Sequence, residues 1–350
     1  MLDNVMQSVN MLNVYLDSGI GQFAVGRSGT LVYATGGLYP ADSGSLVRLD
    51  RSGAVTELNF RDLVFYVRFS PDGALAVARK SPPGRNVGNY DLELYDLARR
   101  TSARLTTDTF GTMPVWSPDG SEVAYLAPSG AILSLQVNGQ GARETIVSKS
   151  YRAGPTSWSR DGKWLMYLAN SDDSFRQIWV MPMRPRPGET AEPKLVLESK
   201  AALQDAEFSP DGKWMAYVSN ETGANEVYVQ AFPGPGHKQR ISLSGGANPA
   251  WARKGRELFY LSRASDTTAT ALMAVDVETG DTFRAGIPRA LFTFPSNVAS
   301  IPSRGYDPYP DGQHFIAALH KRPTVPPTTK LNLVVNWIEE VKRRVPLGKP

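Results

Sequence analysis

Phe208-Ser209-Pro210-Asp211-Gly212-Lys213-Trp214-Met215-Ala216-Tyr217-Val218 is a turn followed by an apolar strand. Gly after Asp supplies the positive φ of a tight hairpin turn, and the Asp side chain can bond its own turn backbone. The phrase returns almost unchanged at Phe69-Ser70-Pro71-Asp72-Gly73, Trp116-Ser117-Pro118-Asp119-Gly120 and Trp158-Ser159-Arg160-Asp161-Gly162. Three degraded copies stand at Val25-Gly26-Arg27-Ser28-Gly29, Trp251-Ala252-Arg253-Lys254-Gly255 and Pro308-Tyr309-Pro310-Asp311-Gly312. The phrase glycines at 29, 73, 120, 162, 212, 255 and 312 are spaced by 44, 47, 42, 50, 43 and 57 residues. That period suits a four-stranded antiparallel unit with short turns.

Each turn leads into an apolar run such as Trp164-Leu165-Met166-Tyr167-Leu168 or Leu258-Phe259-Tyr260-Leu261. A third strand follows, as in Ile178-Trp179-Val180 or Val227-Tyr228-Val229, and then a more polar fourth segment such as Ala142–Val147. One such sheet cannot bury both faces alone, whereas radial stacking buries them. The reading is an all-β chain folded as a β-propeller of four-stranded antiparallel blades. Seven blades are expected, with six as the alternative if the first or last degraded unit is not a blade. The matching Trp, Phe and Tyr positions read as packing between blades. Only His314–Leu319 and Leu331–Asn336 follow the last phrase as strands, so Val5-Met6-Gln7-Ser8-Val9 is the expected fourth strand that closes the ring. The chain reads as one domain over 1–350, with 1–10 as the closing segment and 337–345 as a short C-terminal helix.

A hydrophobic fraction of 41% with 21% charged residues is ordinary for a soluble globular chain. No run approaches the roughly 18 apolar residues of a membrane helix. The opening Met1–Met6 lacks a basic segment and an apolar core, so the sequence as it stands reads as cytoplasmic, and as extracytoplasmic if it is part of a membrane-anchored protein. There are no cysteines, hence no disulfide or thiolate chemistry. The net charge of +4 is scattered, with one cluster at Lys342-Arg343-Arg344, which argues against nucleic-acid binding. Pro-rich stretches at 81–84, 182–188, 232–236 and 323–327 fall between strands and read as extended loops.

These phrases resemble the TolB-like propeller repeat, a relative of the WD-type repeat, over about residues 20–340. The stretch Phe208–Gly236 is similar to the propeller that follows the kinase domain in bacterial serine/threonine protein kinases. Phe23–Tyr33, Trp251–Tyr260 and Val335–Arg344 share that likeness. The resemblance implies a bacterial propeller that binds or senses a partner. The chain lacks a Gly-rich phosphate loop, a Val-Ala-Ile-Lys-type strand and a His-Arg-Asp loop, so no kinase activity is expected.

Other catalytic patterns are missing too. There is no Gly-x-Ser-x-Gly elbow and no His-Glu-x-x-His. His314 and His320 lie six positions apart on one strand, too far apart to share a metal, and His237 sits in a Pro-Gly loop. Oxygen ligands are better placed. In a propeller the innermost strand of each blade lines the channel. The residues before the phrase aromatic include Arg68, Glu207 and Asp307, and two positions earlier stand Gln22, Tyr66, Asp205 and Asn248. Alternation along a strand puts Asp205 and Glu207 on one face. Asp205, Glu207, Asn248 and Asp307 therefore form a candidate Ca²⁺ site at the channel mouth. The competing reading pairs these acids with Arg68 or Arg304, or with backbone and channel water.

Two functions follow. The favoured one is a non-catalytic sensor or scaffold propeller that binds a protein, peptide or small molecule at the channel mouth through Asp205, Glu207, Asn248, Asp307, Arg68, Tyr66 and Gln22. The alternative is a calcium-dependent propeller hydrolase acting on lactones or esters, acyl-homoserine lactones among them, with the metal polarising the carbonyl. A TolB-like periplasmic scaffold is a third reading.

Overall fold

A computed structural model describes residues 7–8, 23–34, 38–39, 43–81, 90–107, 111–139, 142–148, 154–170, 176–183, 191–234, 236–263, 270–294, 304–321 and 330–344. The chain divides into two compact units. The smaller comprises 1–43, 84–88 and 321–350, and the larger comprises 44–83 and 89–320.

The larger unit is built of antiparallel sheets in chain order. Sheet A holds Leu63–Phe69, Leu75–Ser81, Asp91–Asp96 and Thr101–Arg104. Sheet B holds Thr112–Trp116, Glu122–Leu126, Ile132–Gln136 and Glu144–Val147. Sheet C holds Gly154–Trp158, Trp164–Asn170, Arg176–Pro182 and Lys194–Glu198. Sheet D holds Leu203–Phe208, Trp214–Ser219, Glu226–Ala231 and Lys238–Arg240. Sheet E holds Ala247–Trp251, Glu257–Arg263, Thr270–Glu278 and Arg289–Thr293, with Arg284–Ala285 paired beside the far end of its third strand. Sheet F joins Tyr306–Pro308 and His314–Lys321 to Ser43–Asp50 and Val55–Phe60 from the other end of the chain.

Neighbouring positions on these strands face opposite neighbours. Val77 packs with Trp116 and Tyr125 of sheet B, while Ala76 and Ala78 pack with Leu46 and Ile316 of sheet F. Tyr217 joins Met166 and Ile178 of sheet C, while Ala216 and Val218 join Trp251 and Leu258 of sheet E. Sheets B and C share Val115, Ala124, Leu165 and Tyr167. Sheets E and F share Phe259, Leu272, Val47 and Phe315. Every sheet is thus apolar on both faces, and the set closes on itself as a propeller ring.

The closure differs from the expected one. Gln7–Ser8 pairs in parallel with Leu38–Tyr39 inside the smaller unit, not with sheet F. Leu331–Val334 pairs with Leu31–Ala34 and not with His314–Lys321. Among the described residues the larger unit holds six sheets, the alternative count expected from the sequence, and Ser43–Phe60 supplies the closing strands of sheet F. Burial explains the choice. A strand inside the ring needs apolar side chains on both faces, and Leu46, Val47 and Leu49 are all 0% exposed. Leu331 and Leu333 are 63% and 64% exposed and cannot serve that role.

In the smaller unit, Phe23–Val25, Leu31–Ala34 and Leu331–Val334 form a three-stranded antiparallel sheet that carries the first degraded phrase. A helix follows at Trp337–Arg344. Its first N–H, on Trp337, bonds the carbonyl of Gly29 at 2.7 Å.

The repeated phrase is a hydrogen-bonded lock. In sheet D, Ser209 N–H donates to the Trp214 carbonyl and Gly212 N–H donates to the Ser209 carbonyl. The Ser209 hydroxyl donates to Asp211 at 2.5 Å and accepts from Trp214 N–H at 3.0 Å. Asp211 accepts in turn from Lys213 N–H at 3.1 Å. The same set recurs around Ser70, Ser117 and Ser159. Gly212 adopts φ of 71°, which explains the glycine. Ser209 is buried, so Ser209→Ala strands the Trp214 N–H without a partner. The expected cost is about 1–3 kcal/mol, read as a lower denaturation midpoint with unchanged denaturant sensitivity.

Candidate functional site

The first strand of each sheet lies next to the first strands of the two neighbouring sheets, so together they surround the ring axis. At the end where the phrases lie, a cavity of about 290 Å³ opens. Phe69, Trp116, Trp158, Phe208 and Trp251 contribute aromatic wall. Pro71, Pro118, Pro210 and Pro308 add apolar surface. The charged lining is Arg68, Arg160, Arg253 and Arg304 against Glu207 and Asp307.

Arg304 organises the acids. Its Nη1 donates to Glu207 Oε2 and its Nη2 donates to Asp307 Oδ1. Nη1 also reaches the Pro249 carbonyl at 3.2 Å, and Nε reaches the Tyr306 carbonyl at 3.2 Å. Arg304 is 6% exposed and Asp307 likewise 6%. Asp307 Oδ2 accepts from Phe69 N–H at 2.9 Å, which ties sheet F to sheet A. The Tyr306 hydroxyl donates to the Asn248 carbonyl at 2.9 Å and ties sheet F to sheet E. Burial opposes the charge on Arg304, but Glu207 and Asp307 outweigh it and hold the guanidinium more firmly protonated than usual. Burial raises the Glu207 carboxyl above its ordinary range. The neighbouring Asp307 charge adds to this, against the pull of Arg304 and Arg68.

The remaining arginines have a different environment. Arg68 Nη1 donates to the Val67 carbonyl at 3.0 Å and the Arg304 carbonyl at 3.4 Å. Arg253 Nη2 donates to the Ser70 carbonyl at 3.0 Å, and Arg160 Nη1 to the Arg253 carbonyl at 3.1 Å. Among the described residues no carboxylate lies within ion-pair distance of these three. Burial, with the like charge of Arg304, pulls Arg68 down to about 10. Burial also lowers Arg253, with Arg160 and Arg304 adding repulsion against the help of Asp307 and Glu207.

The expected site residues separate into two groups. Arg68, Glu207 and Asp307 line the cavity. Asp205, Asn248 and Tyr66 are not part of its lining. Asn248 Nδ2 donates to Asp205 Oδ2 at 3.0 Å, and Tyr66 lies 5.2 Å from the Arg79 guanidinium. Gln22 falls outside the described residues. The cause of the split is a bulge. The pairing register shifts between Gln204 and Glu207, and Asp205 takes φ of 51°. Simple alternation fails across it, so Asp205 and Glu207 do not share a role. Tyr66, Met113 and Asn248 stand at the matching place in their strands, with φ of 54°, 54° and 52°. Register shifts also occur between Phe65 and Arg68, Thr112 and Val115, Pro155 and Ser157, and Ala247 and Ala250.

The candidate Ca²⁺ ligands are thereby engaged. Asp205 is bonded to Asn248, and Arg304 supplies the positive charge between Glu207 and Asp307. Among the described residues no group of three or more His, Cys, Asp or Glu is placed to hold a metal ion. His314 Nδ1 lies 2.7 Å from Asp311 in the last turn, and His237 is exposed, both away from the cavity. Arg160 and Arg253 join the site through the fold, as part of the cavity lining. Their signal is a position: each stands where four of the other phrases have proline.

A TolB beta propeller domain matches residues 84–286. The chain belongs to that family. The fold comparisons agree with it. The structure of putative TolB from Agrobacterium tumefaciens superposes with a TM-score of 0.64 at 20% identity, covering 81% of this chain and 99% of that one. TolB from Acinetobacter baumannii gives 0.52 at 21% identity, over 74% and 63%. An oligogalacturonate lyase in complex with manganese gives 0.52 at 13% identity, over 90% and 81%. These likenesses concern the fold. No curated protein matches the chain. No helix among the described residues is long and apolar enough to cross a membrane.

Removing the organising cation should show in a pH dependence. Glu207 has a folded-state value above its unfolded one, so its charge opposes folding above that value and the opposition fades as pH falls through it. Arg304→Met removes the attraction and raises the value further. The expected loss is about 3–5 kcal/mol at neutral pH, where two buried carboxylates are left unpaired. In denaturation curves the variant should lose less at pH 5 than at pH 8, and Glu207→Gln in the same background should narrow the difference.

Proposed function

We propose that the protein is a binding propeller that takes its ligand into the cavity at the phrase end of the ring and performs no covalent chemistry on it. The carrying observation is the cavity itself, a concave site walled by aromatic and proline side chains from all six sheets with charged groups among them. A few fixed polar groups within apolar walls are the usual make-up of a ligand site, and about 290 Å³ admits a small molecule or the end of a peptide. Membership of the TolB propeller family supports a binding role at this coarse level. The hydrolase alternative loses its motive, because its proposed oxygen ligands are held by Arg304 and by one another. Among the described residues the cavity lining contains no histidine to act as a base.

Thr156 lines the cavity and is half-buried, so a large side chain there fills it. A panel of metabolites and random peptides screened on the intact chain should yield ligands that quench the emission of the wall tryptophans. Thr156→Trp should keep the β-sheet circular dichroism spectrum and weaken those ligands at least about tenfold. Ligands that bind the blocked variant equally well would place recognition elsewhere on the surface.

A further inference from the structure

The arginines of the cavity are more numerous than its acids require. Arg304 alone engages both Glu207 and Asp307, which leaves Arg68, Arg160 and Arg253 without a carboxylate among the described residues. Each donates to one or two backbone carbonyls, a small part of the five N–H donors a guanidinium carries. Arg68 and Arg253 are half-buried and Arg160 is exposed; cations gathered at one cavity repel one another, and a bound anion relieves that repulsion. Burial and like charge lower both Arg68 and Arg253, in keeping with that repulsion.

The repeat makes the same point independently. In the larger unit the third position of the phrase is proline at 71, 118, 210 and 310, while the degraded phrase of the smaller unit has Arg27 there. In sheets C and E it is arginine, at 160 and 253, and these two are joined by the Arg160 bond to the Arg253 carbonyl. The turn does not need arginine there. The backbone bonds from Gly162 N–H to Ser159 and from Gly255 N–H to Ala252 match those of the proline-bearing phrases.

We infer that the cavity is a site for an organic carboxylate, held by Arg253 and Arg160 at the mouth and by Arg68 within. This inference rests on the reading above that the ligand enters the cavity. Arginine presents a planar fork that matches a carboxylate, and Arg304 already engages two carboxylates in the same space. The apolar wall, with Trp116 and Trp158, accommodates a carbon skeleton and offers nothing to a bare inorganic ion. The carboxylate comes either from a free di- or tricarboxylate or from an acidic peptide tail.

The test uses the full chain with citrate, glutarate, a peptide ending in Glu-Glu, trimethyl citrate and orthophosphate, followed by calorimetry and tryptophan fluorescence. Arg253→Pro and Arg160→Pro restore the common phrase, so the backbone accepts them. Melting temperatures within a few degrees of the parent confirm that they fold. At least one carboxylate should bind, should weaken as ionic strength rises, and should lose about tenfold or more in each variant, while the trimethyl ester fails to bind. Citrate and glutarate binding without the peptide marks a free acid as the source. Peptide binding without them marks an acidic tail, and either result supports the inference. Equal binding of ester and acid overturns it, as do binding of orthophosphate alone, indifference to both arginine variants, or no carboxylate binding at all. Where these fail but neutral ligands are lost in Thr156→Trp, the binding cavity stands and only its charge preference falls.

Discussion

Leu46 and Val47 are consecutive, lie on one strand, and are both fully buried, each against a different neighbouring sheet. That pair states the constraint on which the larger unit depends. A sheet whose two faces are both apolar cannot stand at an edge, so the stack must continue until it meets its own beginning. Sheet F meets it by taking two strands from each end of the segment, Tyr306–Pro308 and His314–Lys321 with Ser43–Asp50 and Val55–Phe60. The closure joins distant parts of the chain through a sheet ladder and covers both faces of sheet F.

The charge network reinforces that clasp. Asp307 belongs to sheet F, with Arg304 just ahead of its first strand, Glu207 to sheet D and the Pro249 carbonyl to sheet E, while Asp307 holds the Phe69 N–H of sheet A. One guanidinium with its two carboxylates therefore links four of the six sheets near the axis. Buried pairs of this kind add little net stability over an apolar replacement. Their effect is on register, because a sheet shifted by one residue leaves a charge unmatched at a cost of several kcal/mol. Apolar contacts between sheets tolerate small slides, and the polar contacts do not.

The sequence made the turns, strands and propeller class readable because the signals are local. Asp211-Gly212 and the apolar run after it specify a hairpin without reference to the rest of the chain. Closure was less readable. Gln7–Ser8, Leu331–Val334 and Ser43–Asp50 are all short extended segments, and burial on both faces marks the last as the partner of His314–Lys321. The candidate site was readable in part. Arg68, Glu207 and Asp307 reach the cavity as alternation requires, but the bulge at Asp205 interrupts alternation, and nothing in Leu203–Phe208 announces a residue at φ of 51°. Asp and Asn tolerate that conformation better than most residues, yet Tyr66 and Met113 adopt it at matching positions, so residue type is no guide. The recurrence points to a shared geometric demand near the axis, where bulges bend a strand and re-aim its side chains.

Repeat proteins separate the work of folding from the work of recognition, and here the separation can be seen within one phrase. In sheet E the lock residues Ser and Asp are replaced by Ala252 and Lys254, yet Ala252 N–H still bonds the Glu257 carbonyl at 2.9 Å and Gly255 N–H the Ala252 carbonyl at 2.8 Å. Backbone bonds and the burial of Trp251, Leu258 and Val275 are enough to hold the turn. Side chains at the phrase are then free to change, within a loss of about one hydrogen bond each. Of the positions that change toward charge in sheets C and E, Arg160 and Arg253 line the cavity and Lys254 does not. In sheets C and E the phrase thus brings two arginines together at the cavity, an arrangement that the turn, held by its backbone bonds, does not itself require.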